Sequence, residues 1–472
     1  MWAMKVTQVA ICPSEASKIA ERPALTPELL AASGARYSRN NEGLDSILSK
    51  IDPKNLEKSV DGIFRMVDYG HQSIADMVPV AMFIDEVSMW LAHYVWTLCP
   101  TAGGQESSTR YIKISVDGLI SPESLGICSE DVAVWRDLMG ECFQAYQASV
   151  EIWEDLASGN PALLGIPKTL LEDKSDSARK KVARMKRNYA FDRARYFLPV
   201  AAATNVMLIM SARGWVNLCQ HLFSHSLPEC RQLGTLIRGE LEIAAPRMIR
   251  HAKATESHKA VLEAEFQKLV QTAQAGSSAL SNPSRADNVA IPNLSVTLPE
   301  GVDEKELANA LKHHSNRYAP VGSSLQRTGV RFGWSQIAFG EIRDLNRHRT
   351  GNKYSPQIPM GFYFAADQLP QDANSKFALL EKQGEVGRKA STTARKLLEN
   401  GIVTYMYWAL LGTEYPFEHT TTADKFIYEA ELRTGLGAHY RYAKHLRDAL
   451  VQWYKRFPTT KGLVLEGSAE PE

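Results

Sequence analysis

The residues of this chain best suited to chemistry fall in two short runs far apart in the sequence. The first is Gln105-Glu106-Ser107-Ser108-Thr109-Arg110-Tyr111 and the second is Arg347-His348-Arg349. Arginine grips phosphate well, because its planar, permanently charged fork donates parallel hydrogen bonds. Ser108 adds a hydroxyl, and nearby backbone amides can complete an oxyanion cradle. Read locally, the first run is also a polar loop with one surface arginine. Arg347 and Arg349 can gather anionic oxygens, or simply be cations at a helix C-terminus, where the macrodipole favours them. Arg343 and Arg347 are four apart and share a helix face. Two rival signals are weaker. His221, His225 and Glu229 are spaced for one helix face, but Pro228 interrupts it and no third His or Cys ligand follows, so no metal is expected. Gly435-Leu436-Gly437 is too short for a dinucleotide fingerprint and reads as a turn.

Both runs need elements to hold them, and the same order of elements precedes each. In the first part Gly70-His71 opens a turn, and Val78, Val80, Met82 and Ile84 alternate as in a half-buried strand. Pro79 favours an edge position for that strand. Asp85 is the expected cap of a helix whose apolar side includes Trp90, Leu91, Tyr94 and Val95. In the second part Gly322-Ser323-Ser324 takes the turn position, and Val330, Phe332 and Trp334 alternate. Ser335 is the expected cap of a helix that carries Ile337, Ile342 and Leu345 up to Arg347, with Gly351 as its stop. The recurrence of turn, strand, cap and helix points to an internal duplication. A small, polar stretch at 274–284 reads as a linker. The expected modules are 1–275 and 285–472, and the tail after Pro458 is expected to fray.

The two runs together resemble the signature of flavin-dependent thymidylate synthases: Arg-His-Arg, a short spacer, then Asn-Glu-x-Ser-x-Arg-Tyr. In that family both halves lie in one short segment of each subunit, and halves from different subunits meet around one nucleotide. Here each half survives once, so the resemblance implies two tandem diverged copies, an α+β pseudo-dimer with a composite site. By the same resemblance Glu106, Ser108, Arg110, Tyr111, Arg195, Asp344, Arg347 and Arg433 are the substrate-binding residues. Ser38, Ser73, Glu106, Ser211, Arg213, Asn217, Arg347, His348 and Arg349 are the flavin-binding ones. Arg433 matches the arginine that polarises the N3 and carbonyl edge of uracil, and Ser108 positions the substrate; these two are the catalytic pair. Departures sit at Gln105 and Ser211, each for asparagine, at Asp76 for glutamate, and at Asp344 for a glutamine that contacts the nucleotide. A carboxylate at Asp344 repels an anionic ligand or reorganises its recognition. Leu222 stands where the second copy has Arg433, and Asp424 where the first has Arg213.

The implied activity is FAD-dependent reductive methylation of dUMP to dTMP, with methylenetetrahydrofolate and NADPH as co-substrates. A non-catalytic nucleotide- or flavin-binding relative, or an enzyme alkylating C5 of another pyrimidine nucleotide, remains the alternative. Composition agrees with an ordinary globular protein: 44% hydrophobic and 23% charged residues supply an ample core. A net charge of +1 gives no bulk reason to expect a nucleic-acid partner. No long apolar run or secretory leader is visible, so no membrane contact is expected. The six cysteines contain no Cys-x-x-Cys pair and read as free thiols in a reducing cytoplasm. Two such chains would form a homodimer holding the four modules of a family homotetramer.

Overall fold

The computed structural model describes residues 4–9, 26–38, 44–52, 55–68, 73–110, 114–276, 293–435 and 438–467. Tyr111, Gly70-His71 and most of the expected linker lie outside the described residues; a helix over Glu256–Ala275 leads up to the linker. The elements used below begin with β1 (Lys5–Val9), β2 (Pro79–Ser88), α1 (Met89–Leu98), β3 (Gly103–Glu106), α2 (Val132–Gly159), α3 (Asp176–Ala194), β4 (Ala203–Ser211) and α4 (Ala212–Ser224). The second series is β5 (Asn293–Thr297), β6 (Gly329–Ala338), α5 (Phe339–Asn346), β7 (Asn352–Tyr354), β8 (Gly361–Phe362), α6 (Asn374–Glu399), β9 (Thr413–Thr422), α7 (Ala423–Arg433) and α8 (Tyr440–Arg456).

The class is α+β, as expected, with two antiparallel sheets. One has the order β1-β2-β4-β3, the other β5-β6-β9-β7 with β8 added on β9. Their registers repeat. Pro79 faces Ser211 and Gly329 faces Thr422; the pairing is irregular between Ile84 and Val87 in one sheet and between Trp334 and Ile337 in the other. Ser88 opposite Ala203 and Ala338 opposite Glu414 close the two pairings. The amides of Ala212 and Ala423 then donate to the carbonyls of Val78 and Thr328 at 2.8 and 2.9 Å. Bulges recur at matching positions because they are built into a fold rather than being defects. The duplication is a property of the backbone.

Several local expectations are corrected. β2 lies between β1 and β4, so Pro79 is not on an edge strand; it is tolerated as the first residue of an interior one. Asp85 and Ser335 do not cap helices, because β2 and β6 run on to Ser88 and Ala338. Ser88 caps α1, its Oγ accepting from Leu91 N at 2.9 Å. Ala338 has no side-chain oxygen, so Glu341 reaches back and accepts from its amide at 3.0 Å. Ile337 belongs to β6, and α5 ends at Asn346 before the Arg347 run. Gly351 serves the turn into β7 instead: its φ is 68°, and a Cβ there would lie 2.1 Å from the carbonyl oxygen of Thr420. The tail after Pro458 is docked as far as Gly467. Thr460 is buried and accepts from Trp453 Nε1 at 2.9 Å, and Leu465 N donates to Glu431 at 2.9 Å.

Two compact units emerge, and the chain passes between them more than once. One comprises Met1–Ser129 with Ala201–Lys268, the other Glu130–Val200 with Leu269–Glu472. These packing units do not coincide with the expected sequence modules 1–275 and 285–472. The cause is that α2, from the first module, packs on α3 and on α6 of the second. Trp135 of α2 is buried and donates from Nε1 to the carbonyl of Tyr407 at 3.0 Å. Within this second unit the segments leading into β4 and β9 pair with each other. Val200 N donates to Ala409 O at 3.1 Å and Leu411 N to Leu198 O at 2.9 Å. Equivalent segments exchanging hydrogen bonds reciprocally is the pattern of a two-fold contact. The core of the first unit includes Met82, Ile84, Leu208 and Trp215, and that of the second Phe332, Trp334, Phe417 and Trp453.

Candidate active site

In the first unit β3 carries the start of the Glu106 run. Gln105 and Glu106 pair with Met207 and Val206 of β4, and Ser107 N extends the ladder to Asn205 O at 2.9 Å. Ser108 Oγ then accepts from Arg110 N at 3.4 Å, and Arg110 is half-buried. The strand edge delivers the polar residues, and the turn after it bends them. Ser211 caps α4 through Gly214 N at 3.2 Å and donates to Asp76 Oδ1 at 3.3 Å. Arg213 Nη1 meets Asp76 Oδ2 at 2.8 Å. The expected flavin residues Ser211 and Arg213 are thus joined through Asp76, in the same one-turn helix as Ser73. Asn217, Ser73 and Ser38 are exposed, and Ser38 Oγ donates to Ala35 O at 3.0 Å.

In the second unit residues from both sequence modules meet. Arg195 is buried, and its Nη2 pairs with Asp344 Oδ2 at 3.0 Å. Arg347 approaches Asp344 Oδ1 at 3.7 Å from one helical turn on. Burial alone would raise the Asp344 carboxyl, but Arg195 and Arg347 hold it well below the usual carboxylate range. An ionised Asp344 is therefore neutralised within the protein. Arg433, at the end of α7, donates from Nε to His348 Nε2 at 2.7 Å. That geometry needs a neutral imidazole at Nε2. Burial pushes the His348 pKa down to about 3, with Arg433, Lys353 and His419 adding to it and Glu429 opposing. Arg347, Arg349 and Arg433 are all partly exposed.

A buried polar layer adjoins these residues, and the sequence reading missed it. Glu341 and Asp344 lie on one face of α5, three residues apart. Glu341 accepts from Tyr196 OH at 2.7 Å and pairs with Arg441 Nε at 3.3 Å. Arg441 also meets Glu414 at 3.2 Å and lies over the Tyr363 ring, 3.2 Å from its centre. No local pattern marks these positions, since the partners come from α5, β9, α8 and the segment after α3. Charged residues at otherwise apolar faces were the available signal. Behind His348, His419 and Glu429 are fully buried and 3.1 Å apart.

The His221, His225 and Glu229 set serves packing. His221 stacks edge-on against His258, and His225 sits against Trp90 and Tyr94. Glu229 accepts from Ser88 N and Oγ at 2.7 and 2.9 Å. Burial pushes the Cys99, Cys142 and Cys219 thiols up to about 12, so these three are not poised as nucleophiles. Among the described residues no helix is long and apolar enough to cross a membrane.

The profile of the family described as thymidylate synthase complementing protein matches residues 24–247. A flavin-dependent thymidylate synthase of Clostridium tetani is 23% identical over 229 residues, covering 48% of this chain and 82% of that protein. UPF0159 protein Ta1429 of Thermoplasma acidophilum is 23% identical over 480 residues, covering 91% of this chain and 93% of its own. The full two-module length therefore has a counterpart elsewhere. A crystal structure of a UMP/dUMP methylase PolB from Streptomyces cacaoi bound with 5-Br dUMP covers 53% of this chain and 94% of its own at 14% identity. Its TM-score of 0.32 is too low to bear on this site. Residues 24–247 match the profile of the thymidylate synthase complementing protein family, and the chain is a thymidylate synthase-like enzyme similar to a flavin-dependent thymidylate synthase.

Proposed function

We propose that this chain methylates a uracil nucleotide at C5, converting dUMP to dTMP, and that it does so with FAD. The carbon comes from methylenetetrahydrofolate and the hydride from NADPH; the C5 proton of uracil leaves as the new carbon–carbon bond forms. The observation that carries the reading is the meeting of Arg195 with Asp344 and Arg347, beside the Arg433–His348 pair. These are the residues that the family signature assigns to nucleotide and flavin, and they come from both sequence modules.

Uracil C5 is a weak nucleophile, so negative charge on the ring must be stabilised as it reacts. A guanidinium at the N3 and carbonyl edge does this if it is preorganised. Arg433 meets that condition, because its Nε is fixed on His348 at 2.7 Å. Ser108 and Arg110 supply a hydroxyl and a fork for the nucleotide. The residues present fit a flavin. Arg347 Nε is buried without a hydrogen-bond partner, which suits an anionic or carbonyl group placed there. By the family resemblance Arg349 is a flavin contact of the second unit, and Ser38, Ser73, Ser211, Arg213 and Asn217 are flavin contacts of the first. When bound, FAD supplies the redox ring that relays the hydride.

Asp344 favours a second possibility for the acceptor. A carboxylate only accepts hydrogen bonds, whereas the amide expected there also donates. Another pyrimidine nucleotide, with a donor at that edge, remains within reach of the same chemistry, as does a relative that binds without turnover. We further propose a cytoplasmic homodimer, in which two chains supply four modules.

The test counts flavin against protein in the purified chain and follows its absorption spectrum. One flavin per chain is expected, because the Arg347-His348-Arg349 run and the Ser211/Arg213 pair each occur once. Two per chain would exclude the composite reading, and none would favour the non-enzymatic one.

A further inference from the structure

The segment carrying Arg347, His348 and Arg349 leaves α5 and turns into β7 through irregular backbone. Its carbonyls need donors from elsewhere. Lys353 Nζ donates to the carbonyls of His348 and Thr350. His419 Nε2 lies 2.7 Å from the same Thr350 oxygen. A carbonyl only accepts, so His419 Nε2 carries a proton. His419 Nδ1 is 3.1 Å from Glu429 Oε2, with both side chains at most 1% exposed. With Nε2 committed, Nδ1 carries a proton only in the imidazolium, and a buried carboxylate needs a cation.

The first copy supplies the contrast. His419 faces Lys353 and Phe332 across its neighbouring strands; the matching position, Leu208, faces Gly104 and Met82. Glu429 of α7 corresponds to Leu218 of α4, each six residues beyond the first residue of its helix. The copy that lacks Arg-His-Arg has aliphatic residues in place of the pair.

We propose that Glu429 and His419 are positioning residues for the Arg347-His348-Arg349 segment. Glu429 holds His419 as an imidazolium, and that imidazolium and Lys353 together clamp the carbonyls of His348 and Thr350. The clamp fixes the direction of the two arginines and of the His348 ring that orients Arg433. Lys353 from β7 and His348 from the segment itself face Glu429, and Arg433 from α7 in turn faces His348. The proposal rests on the functional reading given to this segment above.

The experiment compares the whole wild-type chain with E429Q and H419F. Hydrogen–deuterium exchange of amides 347–353 is read by mass spectrometry without added ligand, and flavin affinity is read by titration. Exchange in the segment should rise on the order of tenfold in both variants while β6 keeps its protection. E429Q should also weaken flavin binding, because the segment proposed to hold the flavin is no longer clamped. E429Q is isosteric, so it decides the matter even if H419F does not fold. Wild-type exchange in the segment of E429Q, with unchanged flavin affinity, would overturn the clamp. If the wild type binds no flavin, the functional reading fails on its own, and the exchange data still judge the clamp.

Discussion

A buried guanidinium is stable only where a carboxylate or an equivalent acceptor meets it, and for Arg195 that group is Asp344. The residue expected to hold a phosphate is thus already charge-compensated, and a nucleotide must share it with Asp344. Replacing Arg195 by alanine leaves the buried Asp344 with only the longer, partly exposed contact to Arg347. The expected loss is about 3–5 kcal/mol of unfolding free energy, above the ~1.5–3 kcal/mol of one charge-assisted hydrogen bond. The sign with pH follows from the lowered carboxyl. Wild-type stability from this pair is present above the ordinary carboxylate pKa and is lost as pH falls through the depressed folded value. Urea unfolding of wild type and R195A between neutral and acid pH checks both points. A variant that matches the wild type at neutral pH would mean that the pair contributes nothing.

At the scale of elements, the β-to-helix junctions set where functional side chains emerge. In the first unit the junction is Ser88, which caps α1 and shares Glu229 with its own amide. Ser88→Ala removes the cap and one of the donors to a buried carboxylate, so at least ~1–2 kcal/mol of stability should be lost. Thermal or urea unfolding reads it, and an unchanged midpoint would refute the capping role. In the second unit Glu341 performs that office for Ala338 and also joins the buried layer. Alternation made both central strands legible, and the order of elements disclosed the repeat. Their ends were misplaced because Asp85 and Ser335 are good caps on paper, while each strand continues for three more residues. Arg110, Arg347 and His348 stand out in the sequence because their types and order resemble a signature, and Arg433 because it follows a resembling segment. Glu341, Arg441, His419 and Glu429 were not, since their meaning depends on partners distant in sequence. Pro79 misled for a different reason, being first in its strand rather than at a sheet edge.

For the molecule as a whole, two copies of one sheet register have diverged until each keeps different polar residues. The first retains Glu106, Ser108, Arg110, Arg195, Ser211 and Arg213; the second retains the Arg347 run and Arg433. Leu222 and Arg433 occupy corresponding positions ten residues beyond the first residue of α4 and α7, so of the two copies the second alone has a cation there. A chain that needed neither set would have no reason to keep complementary halves and a buried ion pair joining its two modules. Arg433 is proposed to stabilise charge developing on a pyrimidine ring during methyl transfer. Its most direct test is single-turnover conversion of saturating dUMP by the reduced flavoprotein with methylenetetrahydrofolate, in wild type and Arg433→Ala. Wild type should form dTMP, and the variant should keep its flavin but react on the order of a hundred- to a thousand-fold more slowly. A variant that turns over at the wild-type rate, or a flavin-loaded wild type that makes no dTMP, would contradict it.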